Sequence, residues 1–239
     1  MRHFFGPAPG ILAAFLTLAP PLAAETLTTD NGRVTTVISL SDALAPHPSF
    51  ATFLREEALA IREDAALTAA EDDRSGWTVE ITDSPSLVTG AYASVLRKVT
   101  MRQGNFGSQT VEALNWNSGA QDFFRLDQFF DAGQPREDAL IAIAFRLKEG
   151  IAKNIWGRKV PPDWNPMVEQ ATSPDLAVLS NFTLAPSDIP NKAAGLTFHF
   201  SPKEIAPAGR SQALTIPLSL FSQWLNAEGR AIFGGALKR

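Results

Sequence analysis

Residues 181–225 read NFTLAPSDIPNKAAGLTFHFSPKEIAPAGRSQALTIPLSLFSQWL, and their pattern decides the fold. In Leu196–Phe200, Leu196, Phe198 and Phe200 point to one face, and Thr197 and His199 to the other. That is the period of a half-buried strand. Ser201-Pro202 stops the ladder, because proline has no N–H to donate. Pro207, Gly209 and the polar Arg210-Ser211-Gln212 turn the chain into a further strand at Leu214–Pro217. Pro217 then suits a helix start ahead of Leu218, Leu220, Phe221, Trp224 and Leu225. Phe182-Thr183-Leu184 makes a short strand before the loop, so the segment reads strand, strand, strand, helix.

Working outward, Pro135–Trp156 reads as a helix, with Leu140, Ala144, Leu147, Ile151 and Ile155 at helical spacing. Glu137 and Asp138 sit in its first turn and Lys148 and Lys153 towards its end, as the helix dipole favours. Pro48–Ala70 reads as a second amphipathic helix, with Phe50, Phe53, Leu54, Ala58, Ile61 and Ala65 on one face. Between the helices, Trp77–Thr82, Leu87–Val88, Ala93–Met101 and Gln109–Trp116 read as strands of an antiparallel meander, punctuated by Gly104-Asn105-Phe106-Gly107 and Asn117-Ser118-Gly119. Arg33–Leu40 is a β-branched strand, and 25–32 reads as a loose polar lead. Gly157–Pro174 is a long Pro-rich connection with room for a short helix. These elements predict an α+β fold: an antiparallel sheet covered by two main helices, with a short C-terminal helix. A soft boundary near Gly119–Asp122 separates an N-terminal region, 25–119, from a C-terminal one, 120–239.

The first 24 residues have the form of an export signal: Arg2 and His3, the apolar run Ile11–Ala19, and small residues ending at Ala24. The run is too short to span a bilayer, which needs roughly 20 apolar residues. A periplasmic or secreted chain with no membrane span after cleavage is expected. Only Arg2 among the charged residues leaves with the signal, so the formal charge of −4 becomes −5. With no basic stripe, this argues against nucleic acid as a partner. The sequence has no cysteine, which excludes disulfides, thiolate metal sites and a Cys nucleophile. Stability therefore rests on the core, and a chain of this size buries about 70% of its unfolded surface.

In order, Phe182-Thr183-Leu184, Leu196-Thr197-Phe198-His199-Phe200, Pro202, Glu204-Ile205-Ala206-Pro207, Gly209 and Thr215-Ile216-Pro217-Leu218 resemble the signature of a domain of unknown function. That domain forms the lysozyme-binding C-terminal part of RsiV-type anti-sigma factors and accompanies PdaC-type polysaccharide deacetylases. Phe124–Phe130 (FRLDQFF) resembles the segment that leads into the family's helix. The resemblance spans roughly 120–235. It implies a non-catalytic envelope binding domain whose partner is a lysozyme-like protein or a cell-wall glycan. Lys203 stands where the family usually has Tyr, and the turn before Gly209 is shorter than usual. If that Tyr helps recognise a partner, the partner differs here. The chain carries neither the membrane helix of an anti-sigma factor nor the His/Asp metal motif of a deacetylase.

Candidate binding residues are Trp156, Arg158 and Trp164 in the loop Trp156–Trp164, where Trp and Arg suit a binding hot spot, together with His199 and Lys203. No catalytic residue, metal ligand or cofactor is assigned. His47 and His199 lack a nucleophile elbow to serve, and Asp122, Asp127 and Asp131 lack calcium-loop spacing. Asn181-Phe182-Thr183 matches a glycosylation sequon by chance, since Phe182 points inward. A second reading is a peptidoglycan hydrolase using a carboxylate pair about 5–10 Å apart, a spacing that sequence does not reveal. A third is a purely structural scaffold.

Overall fold

A computed structural model describes residues 25–71, 75–207 and 209–238. The expected export signal, residues 1–24, lies outside the described residues. The chain is α+β, as its periodicities predict. One sheet of six strands runs in the order β1 (Glu25–Asp30), β2 (Val34–Leu40), β3 (Trp77–Val88), β4 (Tyr92–Gln103), β5 (Phe106–Asn117), β6 (Asp122–Phe123). A second, three-stranded sheet holds β7 (Phe182–Pro186), β8 (Ala193–Phe200) and β9 (Gln212–Pro217).

All pairings are antiparallel except β2 with β3, which is parallel. Parallel neighbours need a crossover, and α1 (Pro48–Glu71) supplies it. The large sheet is therefore mixed, a correction to the all-antiparallel expectation. β1 is another difference. The lead 25–32 is not loose, because Asp30-Asn31-Gly32 closes a hairpin. Gly32 takes φ +80° and donates its N–H to Asp30 Oδ1 at 2.8 Å, while Asn31 Oδ1 accepts from Val34 N at 2.8 Å. Trp77–Thr82 and Leu87–Val88 form one strand, with a register shift between Pro85 and Leu87 accommodating the proline.

α1 lies on one face of the large sheet. Phe50, Leu54 and Ala58 are fully buried, against Ile38, Val79, Ile81 and Val95. Phe50 stacks on Trp116 of β5 with centroids 5.4 Å apart. Each fully buried Phe, Leu, Ile or Val side chain here contributes about 1.5–3 kcal/mol through lost apolar hydration. α2 (Gln134–Gly150) covers the small sheet, joining Leu140, Ile143 and Leu147 to Leu196, Phe198, Phe200, Leu214 and Ile216 in the largest core cluster. It continues into a π-helical turn, Ile151–Ile155. The Pro-rich connection holds α3 (Asn165–Ala171). After Pro217 the chain makes two 3₁₀ turns, Leu218–Leu220 and Ser222–Trp224, and its α-helix, α4 (Ala227–Ile232), starts later than Pro217 predicts.

The two sheets meet through polar side chains. Ser94 and Asn115 are cross-strand neighbours on the face away from α1. Ser94 Oγ donates to Asn115 Oδ1 at 2.6 Å and accepts from Leu184 N at 2.8 Å. Asn115 Nδ2 donates to Phe182 O at 2.8 Å. These bonds satisfy the free edge of β7, which would otherwise be a buried row of orphan backbone groups. Asn181 adds to the joint: its Oδ1 accepts from Ala113 N at 2.7 Å, and its Nδ2 donates to Val111 O at 3.2 Å.

Candidate functional site

The five candidate residues divide into one cluster and two outliers. The cluster is built on the turn after β8. Ser201 N donates to Glu204 Oε2 at 2.6 Å and Glu204 N donates to Ser201 O at 3.2 Å, so the turn is capped from within. Lys203 is forced to φ +67°, a left-handed conformation that glycine tolerates better than lysine. Ile205, fully buried, plugs the turn into the main core. Its carbonyl accepts a hydrogen bond from Trp156 Nε1 at 3.1 Å. Trp156 ends the π-helical turn, and Gly157, at φ +78°, turns the chain away. Pro162 starts the 3₁₀ turn Pro162–Trp164, which returns Trp164 to Trp156 with ring centroids 5.7 Å apart and tilted by 47°. Both indoles are half-buried against the core. Trp156, Trp164 and the Lys203 turn thus form one surface from segments some forty residues apart.

Arg158 is exposed and lies in a separate shallow groove with Arg146, Lys153, Thr215 and Pro217. His199 lies on the face of β8 opposite the phenylalanines, as the alternation predicts, but its ring is engaged. Its Nε2 is hydrogen-bonded to Thr183 Oγ1 at 2.8 Å, and its backbone pairs with Asn181. Burial pushes its imidazole down to about 4, so it is neutral at pH 7.

His47 is buried as a strut. Its Nε2 donates to Thr89 O at 2.7 Å, and its Nδ1 is bonded to the Ser118 hydroxyl. It ties the loop before α1 to two hairpin ends. Asp127 pairs with Arg125 at 3.2 Å and Arg136 at 3.9 Å, and Asp122 accepts from Phe123 N. These carboxylates serve turns. Among the described residues no group of three or more metal-ligating side chains is gathered, and no helix is long and apolar enough to cross a membrane.

Sequence reasoning missed a buried ion pair. Arg97 Nε and Nη2 donate to Asp83 Oδ1 and Oδ2 at 2.8 and 2.7 Å, and Nη2 also reaches Leu54 O of α1 at 2.5 Å. Both side chains are nearly solvent-free. The signal was present: Val79-x-Ile81-x-Asp83 and Val95-x-Arg97-x-Val99 each place one charge in the inward phase of an apolar alternation. The forked geometry marks a structural clamp between sheet and helix. Arg102 and Gln109 were also passed over. They line a cleft of about 300 Å³ between the β4–β5 hairpin and the Lys203 turn. Lys203 also borders a second cleft of about 460 Å³, with Met167, Val178 and Glu204.

No family model and no curated protein matches the chain. Among the solved structures that share the fold are two DUF3298 proteins. One is a member of the DUF3298 family from Bacteroides fragilis, 14% identical, with a TM-score of 0.53 over 86% of this chain and 93% of that one. The other is a DUF3298 family protein from Pseudomonas aeruginosa, 13% identical, with a TM-score of 0.55 over 92% of this chain and 98% of that one. The architecture is therefore that of DUF3298 domains of unknown function, and the likeness is one of fold.

Proposed function

We propose that this chain is an exported, non-catalytic binding protein of the bacterial envelope, with a lysozyme-like protein or peptidoglycan as its partner. The observation that carries this reading is the surface made by Trp156, Trp164 and the Lys203 turn. Two partly buried indoles that keep an exposed edge and a strained, solvent-facing turn supply the aromatic and polar mix of a recognition hot spot. Strained backbone that the fold maintains is a mark of functional turns. The sequence resemblance to the RsiV-type domain supports a partner-binding role, and Lys203 is the position in this turn where the chain departs from the family pattern. The export signal read from residues 1–24 gives the compartment, and the net negative charge suits a basic protein partner. His47, His199, Asp83 and Arg97 are all consumed by structural partners, which weighs against the hydrolase reading.

The test is calorimetry and co-sedimentation of the chain from residue 25 onward with lysozyme-like proteins and with purified peptidoglycan. Binding to one of them, weakened in Trp164→Ala with folding intact, is expected. Absence of binding to both, or turnover of the peptidoglycan, would overturn the proposal.

A further inference from the structure

The cleft between the β4–β5 hairpin and the Lys203 turn gathers two cations without a carboxylate. β4 and β5 alternate, so Thr100 and Arg102 share a face with their cross-strand partners Gln109 and Gly107, away from α1. Across the gap stand Pro202, Lys203 and Gly209. The lining holds two cations and no carboxylate. Neither Arg102 nor Lys203 is paired with an acidic side chain among the described residues. The nearest carboxylates are directed elsewhere. Glu204 is held on Ser201 N and borders the other cleft. Glu80, in register with Thr100, is exposed on β3 outside the lining.

Two like charges facing one concavity repel each other, and the fold leaves them uncompensated. The polar groups between them are preorganised. Gln109 Nε2 donates to Thr100 Oγ1 at 3.2 Å, and Gln109 Oε1 accepts from Ser211 N at 3.3 Å, so one side chain fastens the wall of the cleft to the approach of β9. Thr100 is buried and its hydroxyl accepts from Gln109, which leaves its proton without an acceptor among the described residues. Ser108, paired with Met101, turns its side chain to the other face and borders the cleft with its backbone.

We infer that this cleft binds a carboxylate-bearing sugar, with Arg102 and Lys203 on the carboxylate and Thr100 and Gln109 on ring hydroxyls or amides. A guanidinium fork matches a carboxylate in two parallel bonds. The hydroxyl and amide lining supplies the directional bonds that a polyhydroxylated ligand needs and an apolar peptide would not. About 300 Å³ lies at the small end of ligand pockets, suited to a single residue of a longer chain. Lys203 holds a left-handed backbone, where glycine would be easier, at the rim of this cleft. The inference deepens the envelope-binding reading by naming the acidic component of a glycan, and it rests on that reading for its compartment.

The probes are a disaccharide containing N-acetylmuramic acid, the neutral N-acetylglucosamine disaccharide, and a short poly-glutamate peptide. Each is titrated at low salt by calorimetry and by NMR of the tryptophan and backbone signals. The acidic disaccharide is expected to bind, the neutral one at least about tenfold more weakly, since a hydrogen bond to a charged group is worth about one such factor. Arg102→Gln and Lys203→Gln should each weaken the acidic ligand by about tenfold and remove most of its salt dependence. Lys203→Gly is a control for folding: it relieves the left-handed strain, so its unfolding midpoint should hold or rise while its affinity falls. Equal binding of both disaccharides, binding of the peptide in preference to the sugar, no binding of the acidic sugar, or indifference to all three variants would overturn the inference. If intact peptidoglycan still binds while these variants are silent, the cleft is wrong and the envelope function stands.

Discussion

Asn115→Ala tests the joint between the two sheets. In the native protein the Asn115 amide does two things at once: it accepts from the Ser94 hydroxyl at 2.6 Å and donates to the Phe182 carbonyl at 2.8 Å. Asn115 is 4% exposed, so water does not replace it. Truncation leaves a buried carbonyl without a donor and a buried hydroxyl without an acceptor. Each orphan costs about 1–3 kcal/mol, and about 3 kcal/mol in total is a reasonable centre. For a chain of this size that lowers Tm by about 6–12 °C. Asn115→Asp is sharper still. It keeps the acceptor for Ser94 but sets a carboxylate oxygen against the Phe182 carbonyl in a dry site, so it should cost at least as much as alanine. Ser94→Ala breaks the shared bond from the other side. The double variant should therefore lose less than the sum of the singles, by about 1 kcal/mol or more. Urea denaturation followed by tryptophan fluorescence gives all four values. A loss below about 1 kcal/mol for Asn115→Ala, additivity in the cycle, or a milder effect of aspartate would refute the reasoning.

Arg97→Met should cost about 3–5 kcal/mol by leaving Asp83 charged and buried, whereas Arg97→Met with Asp83→Leu should recover much of that loss in the same urea assay. The folded imidazole of His199 titrates near 4 against 6.5 in the unfolded chain, so the unfolded state takes the proton first. Its contribution is complete above pH 6.5 and is lost as pH falls towards 4, by up to about 3 kcal/mol. His199→Gln should flatten that part of the stability-versus-pH curve. Gly195→Ala places a Cβ 2.4 Å from Ile216 O, which must part β8 from β9. A loss of about 1–3 kcal/mol is expected in thermal melts, with hydrogen exchange fastest along β9.

The elements with their own periodicity were legible. The face Phe50-Phe53-Leu54-Ala58 predicts α1, and Leu196-Phe198-Phe200 predicts β8, because helix and strand repeats are properties of the local chain. β1 was hidden because Glu25-Thr26-Leu27-Thr28-Thr29-Asp30 has almost no apolar phase, and only the Asn-Gly pair that follows it reveals a hairpin. The parallel β2–β3 pairing was equally hidden, since strand direction follows from where α1 returns the chain. In the candidate site, the turn around Lys203 was marked by its prolines and by the family pattern. Arg102 and Gln109 were invisible beside it, because only the packing of two sheets brings residues 100–109 to residues 202–209. Arg158 is a sequence neighbour of Trp156 and Trp164, and His199 of the Lys203 turn, yet one faces another groove and the other closes on Thr183.

The mortise between Ser94, Asn115 and β7 also bears on how copies of the chain treat one another. Leu184 finds its acceptor 90 positions earlier and Phe182 its donor 67 positions earlier. During synthesis, β4 and β5 therefore exist before the strand they are shaped to receive. Until β7 arrives, the pair is a wet socket on an open face, specific for one edge and indifferent to which molecule supplies it. A chain cut before residue 182, or two chains folding side by side, would offer that socket to a strand from a second copy. The same two side chains that seal the monomer thus set the route by which it would exchange strands into a dimer.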